Sequence, residues 1–85
     1  MLRLLDDVMD LGQRGAALVW LEAEGETPPF AGMKIRDALG NVHLVASVTR
    51  EEHVYTLFLP GSDAAYFERL FRNIFVDARK FEEVV

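Results

Sequence analysis

The chain has 85 residues, 51% of them apolar, with six Phe, no Cys and a formal charge of −5. That is one domain near the small end of what folds alone, with enough apolar content for a core without staples. The missing cysteines exclude disulfides, thiolate metal sites and cysteine nucleophiles, and the acidic balance disfavours a polyanion partner, whose affinity rests on phosphate neutralisation.

Residues 1–14 read as a helix, because Leu4, Leu5, Val8 and Leu11 follow one-faced helical spacing. Asp6, Asp7 and Asp10 fall opposite, and Gly12 and Gly15 bracket the stop. Such a face either docks a partner or packs on its own sheet, the commoner arrangement. The opening MLRLLDDV turns acidic too early for a secretory leader. The longest apolar run, Ala16 to Leu21, falls far short of the roughly 20 residues that span a bilayer. A cytoplasmic location with no membrane contact is expected. One Gln and two Asn are a low amide content that fits a thermophile.

Residues 16–24 (AALVWLEAE) read as a strand bounded by Gly15 and Gly25. A loop, GETPPF, follows, its two prolines stiffening the approach to Phe30. That aromatic is either a hook for a partner or a plug at the rim of the core.

Met33 to Leu59 carries three alternating segments separated by the breaks DALGN and REE, the pattern of an antiparallel meander. Symmetric closure sets Asp37 opposite Val42 and Val48 opposite His53. Met33, Ile35, Val42, Leu44, Ala46, Val48, Tyr55, Leu57 and Leu59 then share the core face. Lys34, Arg36, His43, Val45, Ser47, Val54, Thr56 and Phe58 share the other face. A one-residue slip in either turn would invert part of this assignment.

Pro60-Gly61 ends the third segment. Ser62 reads as the N-cap of a helix over 63–73, with Asp63 favourable to the dipole. Tyr66, Phe67, Leu70, Phe71 and Ile74 form its apolar stripe; Glu68, Arg69 and Arg72 face outward. Residues 75–82 read as a last strand, with a short helix from Asp77 as the competitor. The sum is a single small α+β domain over residues 1–85. Its antiparallel sheet is flanked by two helices, and its five short strands are compatible with a partly open SH3-like barrel.

Chemistry is sparse. The expected register places His43 and His53 on opposite faces and five rungs apart, too far to share a metal. Ser47 and His43, four residues apart on one face, stand about 13 Å from each other, beyond a hydrogen bond. Ser62 lacks the second glycine of a nucleophile elbow. No phosphate loop is present. These readings point to a non-enzymatic protein with no cofactor and no catalytic residue.

The apolar content exceeds what one small sheet covers. The expectation is an interaction or adaptor module, itself the first partner as a homodimer. Phe30, Val45, Val54 and Phe58 would touch the partner, and Lys34, Arg36 and His43 would select an acidic group on it. The alternatives are a nucleic-acid-binding small β-barrel, using Lys34, Arg36, His43 and Phe58 as a minimal platform, and a small-ligand or enzyme domain.

Overall fold

A computed structural model describes residues 2–21 and 28–85. In chain order these form β1 (Leu2–Asp10), β2 (Gly15–Leu21), β3 (Lys34–Arg36), β4 (Val42–Leu44), β5 (Ser47–Glu51), β6 (Val54–Pro60), α1 (Ala64–Phe71) and β7 (Lys80–Val84). Every strand pairing is antiparallel, in the order β4-β3-β7-β1-β2-β6-β5. The architecture is a small, mostly sheet α+β domain.

Strand β1 joins two three-stranded arms. Its first residues pair with β7, Leu2 opposite Phe81, and the rest pairs with β2, Val8 opposite Leu18. The edge strands β4 and β5 are separated in the chain by Val45 and Ala46 alone. Val45 N–H donates to the Met33 carbonyl and Ala46 N–H to the Phe58 carbonyl, both at 2.9 Å. One bent run of chain therefore serves both edges of the sheet, which protects those edges from open-ended pairing.

The core follows from the alternation in β2 and β6. Ala16 faces Leu59, Leu18 faces Leu57 and Trp20 faces Tyr55, and all six are buried. Phe67 and Leu70 of α1 belong to the same cluster, and Phe81 meets Trp20 edge-on at 5.5 Å. Helix α1 is capped by Asp63, whose backbone is extended and whose carboxylate Oδ1 accepts the Ala65 N–H at 2.9 Å. That bond satisfies one of the orphan donors of the first turn.

The N-terminal segment corrects the sequence reading, since residues 2–10 are a strand and not a helix. Four residues of β1, Leu4 to Val8, advance against only two of β2, Trp20 to Leu18. A strand with such an irregularity does not keep a period of two, and its apolar residues then imitate helical spacing. The expected strand over 16–24 is found as Gly15–Leu21; its residues 22–24, and residues 25–27 of the following loop, lie outside the described residues. The cap is Asp63, one residue beyond Ser62. The last strand is Lys80–Val84, and residues 74–79 are bends and turns instead of its first half.

The three expected segments pair antiparallel as two hairpins, but the middle one, expected as one strand over 42–49, is split at Val45–Ala46 into β4 and β5, and both registers are changed. Lys34 pairs with Leu44 and Ile35 with His43, one residue away from symmetric closure. This slip turns Val42 and Leu44 outward and His43 and Val45 inward. In the second hairpin Val48 faces Leu57 instead of His53, and Ser47 takes the place opposite Phe58 expected for His43. That slip is of even size, so Tyr55, Leu57 and Leu59 remain core residues. The first slip comes from a loop of five residues, 37–41, closing Arg36 onto Val42, with the Asp37 carboxylate holding the Leu39 and Asn41 N–H groups.

Candidate functional site

The D-A-L-G-N turn between β3 and β4 is built around one carboxylate. Asp37 Oδ1 accepts the backbone N–H of Leu39 at 2.9 Å and of Asn41 at 3.0 Å. These are Asx-type bonds, in which Asp folds the chain that follows it. Asp37 Oδ2 receives His43 Nε2 at 2.8 Å and the Tyr66 hydroxyl of α1, and Asn41 Nδ2 donates to that hydroxyl at 2.7 Å. The Asp37 side chain is fully buried and that of His43 is 11% exposed. The His43 ring packs on Phe67, with centroids 4.8 Å apart. A polar lock thus fastens the edge of the sheet to the helix.

Electrostatics follow from this geometry. Burial alone would raise the Asp37 carboxyl. The bonds from His43, Tyr66 and the two backbone N–H groups outweigh it and hold the group below the usual carboxylate range. Burial, with the bond to Asp37, raises the Tyr66 phenol above its usual value. The lock therefore stabilises the fold between two limits. Its Asp37 part is present above about pH 4 and is lost as pH falls through the lower folded value. Its Tyr66 part is present below about pH 10 and is lost as pH rises through the higher folded value. Urea midpoints measured from pH 2 to 11 should fall at both ends. Asp37→Asn should flatten the acid limb and Tyr66→Phe the alkaline limb.

Chemically the lock is an anchor. The four hydrogen bonds to the carboxylate all come from donors of the fold itself, a low carboxyl pKa makes a weak general base, and a raised phenol pKa opposes a phenolate nucleophile. Beside it opens a cleft of about 450 Å³. The β3–β4 turn forms one wall with Arg36, Ala38 and Gly40, and the segment after α1 forms the other with Val76, Asp77 and Lys80. Glu82 also lines it and forms an ion pair with Arg36 at 3.7 Å.

The apolar surface next to this cleft is the second feature. Between α1 and β7, Ile74 is 87% exposed and Phe75 is 90% exposed. An Asn73 Oδ1 bond to the Phe75 N–H, at 2.9 Å, shapes the loop that carries them. Leu39 in the β3–β4 turn and Val42 and Leu44 on β4 are about half exposed. Single exposed apolar residues are ordinary; two adjacent ones standing almost free of the fold are not.

The structure disperses the residues expected to meet a partner. Val45 is in the core, fully buried, which corrects its placement on a surface. His43 shares the inner face with its neighbour Ile35, whereas Lys34 and Arg36 point outward, so these three do not form one edge. Phe58 is half-buried opposite Ser47, Val54 lies exposed at the β5–β6 turn, and Phe30 is half exposed. His53 occupies the same turn, outside the lock.

Sequence reasoning missed the lock and the Ile74–Phe75 tip. The Asx signature of Asp37 before Leu39 and Asn41 was a usable signal for the first. For the second, the signal was the pair of turn formers, Asn73 and Asp77, that frame Ile74 and Phe75. Among the described residues no group of three or more His, Cys, Asp or Glu could hold a metal ion, and no helix is long and apolar enough to cross a membrane. A comparison with protein-family models, curated proteins and solved structures finds no match to this chain.

Proposed function

We propose that this chain is a small non-enzymatic interaction module that associates with protein, and first with itself, through the loop that carries Ile74 and Phe75. The near-complete exposure of these two adjacent side chains carries the reading. Burying a large apolar side chain is worth about 1.5–3 kcal/mol, so two of them form a strong anchor once a partner covers them. The non-enzymatic part rests on the saturated Asp37 carboxylate and on its location in a turn-to-helix anchor. We read the sheet, whose edge strands are consecutive in the chain, as an open barrel of the SH3-like kind.

Sedimentation across a concentration series tests the association. The wild-type chain should form dimers that Phe75→Ser converts to monomers. At concentrations where both chains are monomeric, the unfolding free energy should change by less than about 0.5 kcal/mol, because a side chain exposed to this degree contributes little to the fold. A wild-type chain that stays monomeric at the highest concentration removes the self-association reading.

A nucleic-acid reading keeps one supporting observation. Residues 69–80 hold four bases, Arg69, Arg72, Arg79 and Lys80, against one acid, Asp77, an excess of three positive charges on a chain of net charge −5. Salt-dependent binding of single-stranded oligonucleotides would favour it; absence of binding at low salt would dispose of it.

A further inference from the structure

We infer that the cleft between the β3–β4 turn and the α1–β7 segment binds a small zwitterion, a free α-amino acid with an apolar side chain, whose carboxylate is received by Lys80 and whose ammonium is received by Glu82. Such a site goes beyond the association reading and stands whether or not the Ile74–Phe75 loop meets a partner.

The volume suits a small molecule. At about 450 Å³ the cleft lies within the range of about 300–1,000 Å³ that small-molecule sites occupy. A β-carbon at Gly40 would meet nothing within 4 Å, so the turn leaves its wall open. Ala38 and Val76 supply apolar surface on the two walls.

Charge then selects the ligand. Arg36 and Lys80 line the cleft together with Asp37, Asp77 and Glu82. These groups are not equally available. Asp37 is fully buried, and its carboxylate already accepts four hydrogen bonds. Glu82 stands 3.7 Å from Arg36, beyond hydrogen-bond length, and both side chains are about half exposed. Lys80 is exposed and forms no ion pair among the described residues. An ammonium and a carboxylate thus line one cleft with hydrogen-bonding capacity unspent. A simple anion would meet one more carboxylate than cation, and a simple cation would meet Arg36 and Lys80. A molecule that carries both charges satisfies both groups.

Spacing narrows the class further. Lys80 and Glu82 are two residues apart on β7 with the buried Phe81 between them, so they leave one face of the strand about 7 Å from each other. In an α-amino acid the two charged groups share one carbon and lie about 3 Å apart; a hydrogen bond of about 2.8 Å at each end gives a span of roughly 7–9 Å. Arg36 lies across from Glu82 in the β3–β7 pairing, and their ion pair restrains the receiving carboxylate.

Amide NMR titration with three probes tests this. L-Valine carries both charges, L-valinamide only the ammonium and 3-methylbutanoate only the carboxylate. At about pH 6 both amines are charged, since an α-amino group titrates near about 7.7–8.0. L-Valine should shift the Ala38, Gly40 and Val76 amides saturably, with a dissociation constant on the order of 1 mM, because the receiving groups are open to water. Each single-charge probe should bind at least about threefold more weakly, and Lys80→Met and Glu82→Gln should each weaken L-valine by the same factor. Both replaced side chains are exposed, and the dispersion of the amide spectrum confirms that each variant folds.

No saturable shift up to about 50 mM L-valine overturns the inference. Equal shifts from all three probes reduce the effect to surface charge, and L-valinamide binding as tightly as L-valine makes the site one for cations; either outcome overturns the zwitterion. So does an L-valine dissociation constant that neither variant changes. The association reading survives all of these outcomes, because it is read from sedimentation of the ligand-free chain.

Discussion

Asp37→Ala should destabilise the protein by about 3–5 kcal/mol, the range for breaking a buried hydrogen-bonded charge by removing one partner. The substitution deletes four hydrogen bonds at once. Two of them come from backbone N–H groups of the exposed residues Leu39 and Asn41, and each buried group left without a partner costs about 1–3 kcal/mol. The Tyr66 hydroxyl keeps the Asn41 amide, and part of the turn can reach water, so the sum stays below the total of four full penalties. At about 0.05–0.15 kcal/mol per residue, a chain of this length has about 4–13 kcal/mol of stability. One side chain would thus remove a large fraction of it. Urea denaturation at pH 7 measures the change. The variant should also lose the ordered packing of His43 on Phe67, readable as altered ring resonances of both residues. A loss under about 1 kcal/mol would show that the turn closes without its carboxylate.

The lock also explains where the sequence was legible. The stretches that form β3 to β6 were visible as three alternating segments, β4 and β5 being read as one. Their registers were not, because register depends on turn geometry, and this turn is set by Asp37 reaching Leu39, Asn41 and His43 together. Local alternation does not reveal that three-way closure. The error was systematic: one slip of a single residue moved Val42 and Leu44 out of the core and put His43 and Val45 in. The helix after Pro60-Gly61 was legible for the opposite reason, since its stripe and its cap are local features. Its stripe was read one residue too far. Ile74 keeps helical spacing with Leu70 and Phe71, but the helix ends at Phe71 and Ile74 is left in solvent.

The N-terminal strand was hidden by its own irregularity, because the residues gained between Leu4 and Val8 convert a period of two into something close to helical. Its partner β2 was easier. A central strand covered on both sides reads as a continuous apolar run, as AALVWL does. The candidate surface was the least legible part. Whether Phe75 is core or knob depends on where α1 stops and on what lies beneath the loop, and both are tertiary facts. Composition supplied only the expectation that some apolar surface would be left over.

Among the described glycines, Gly15→Ala should be the most damaging change, at about 4 kcal/mol or more. Gly15 opens β2 at φ +126°, a backbone that L-residues rarely adopt, and holding a side chain there costs about 1–3 kcal/mol. Space adds a second penalty. A β-carbon at this site would run into the Leu59 carbonyl oxygen and stand 2.7 Å from Gly61 N. Those are backbone atoms of β6 and its exit, where no rotamer change gives relief. The clash can be relieved only by parting β2 from β6 at the Gly15–Pro60 end, next to the buried Ala16–Leu59 pair. Gly12 supplies the control three residues away: it too has positive φ, +65°, but a β-carbon there meets nothing within 4 Å. Gly12→Ala should therefore cost only the left-handed backbone, about 1–2 kcal/mol. Urea midpoints of the two variants should differ by at least about 2 kcal/mol in unfolding free energy. If they are equal, backbone conformation alone sets the cost, and the close approach of β6 to Gly15 contributes nothing to holding the two central strands together.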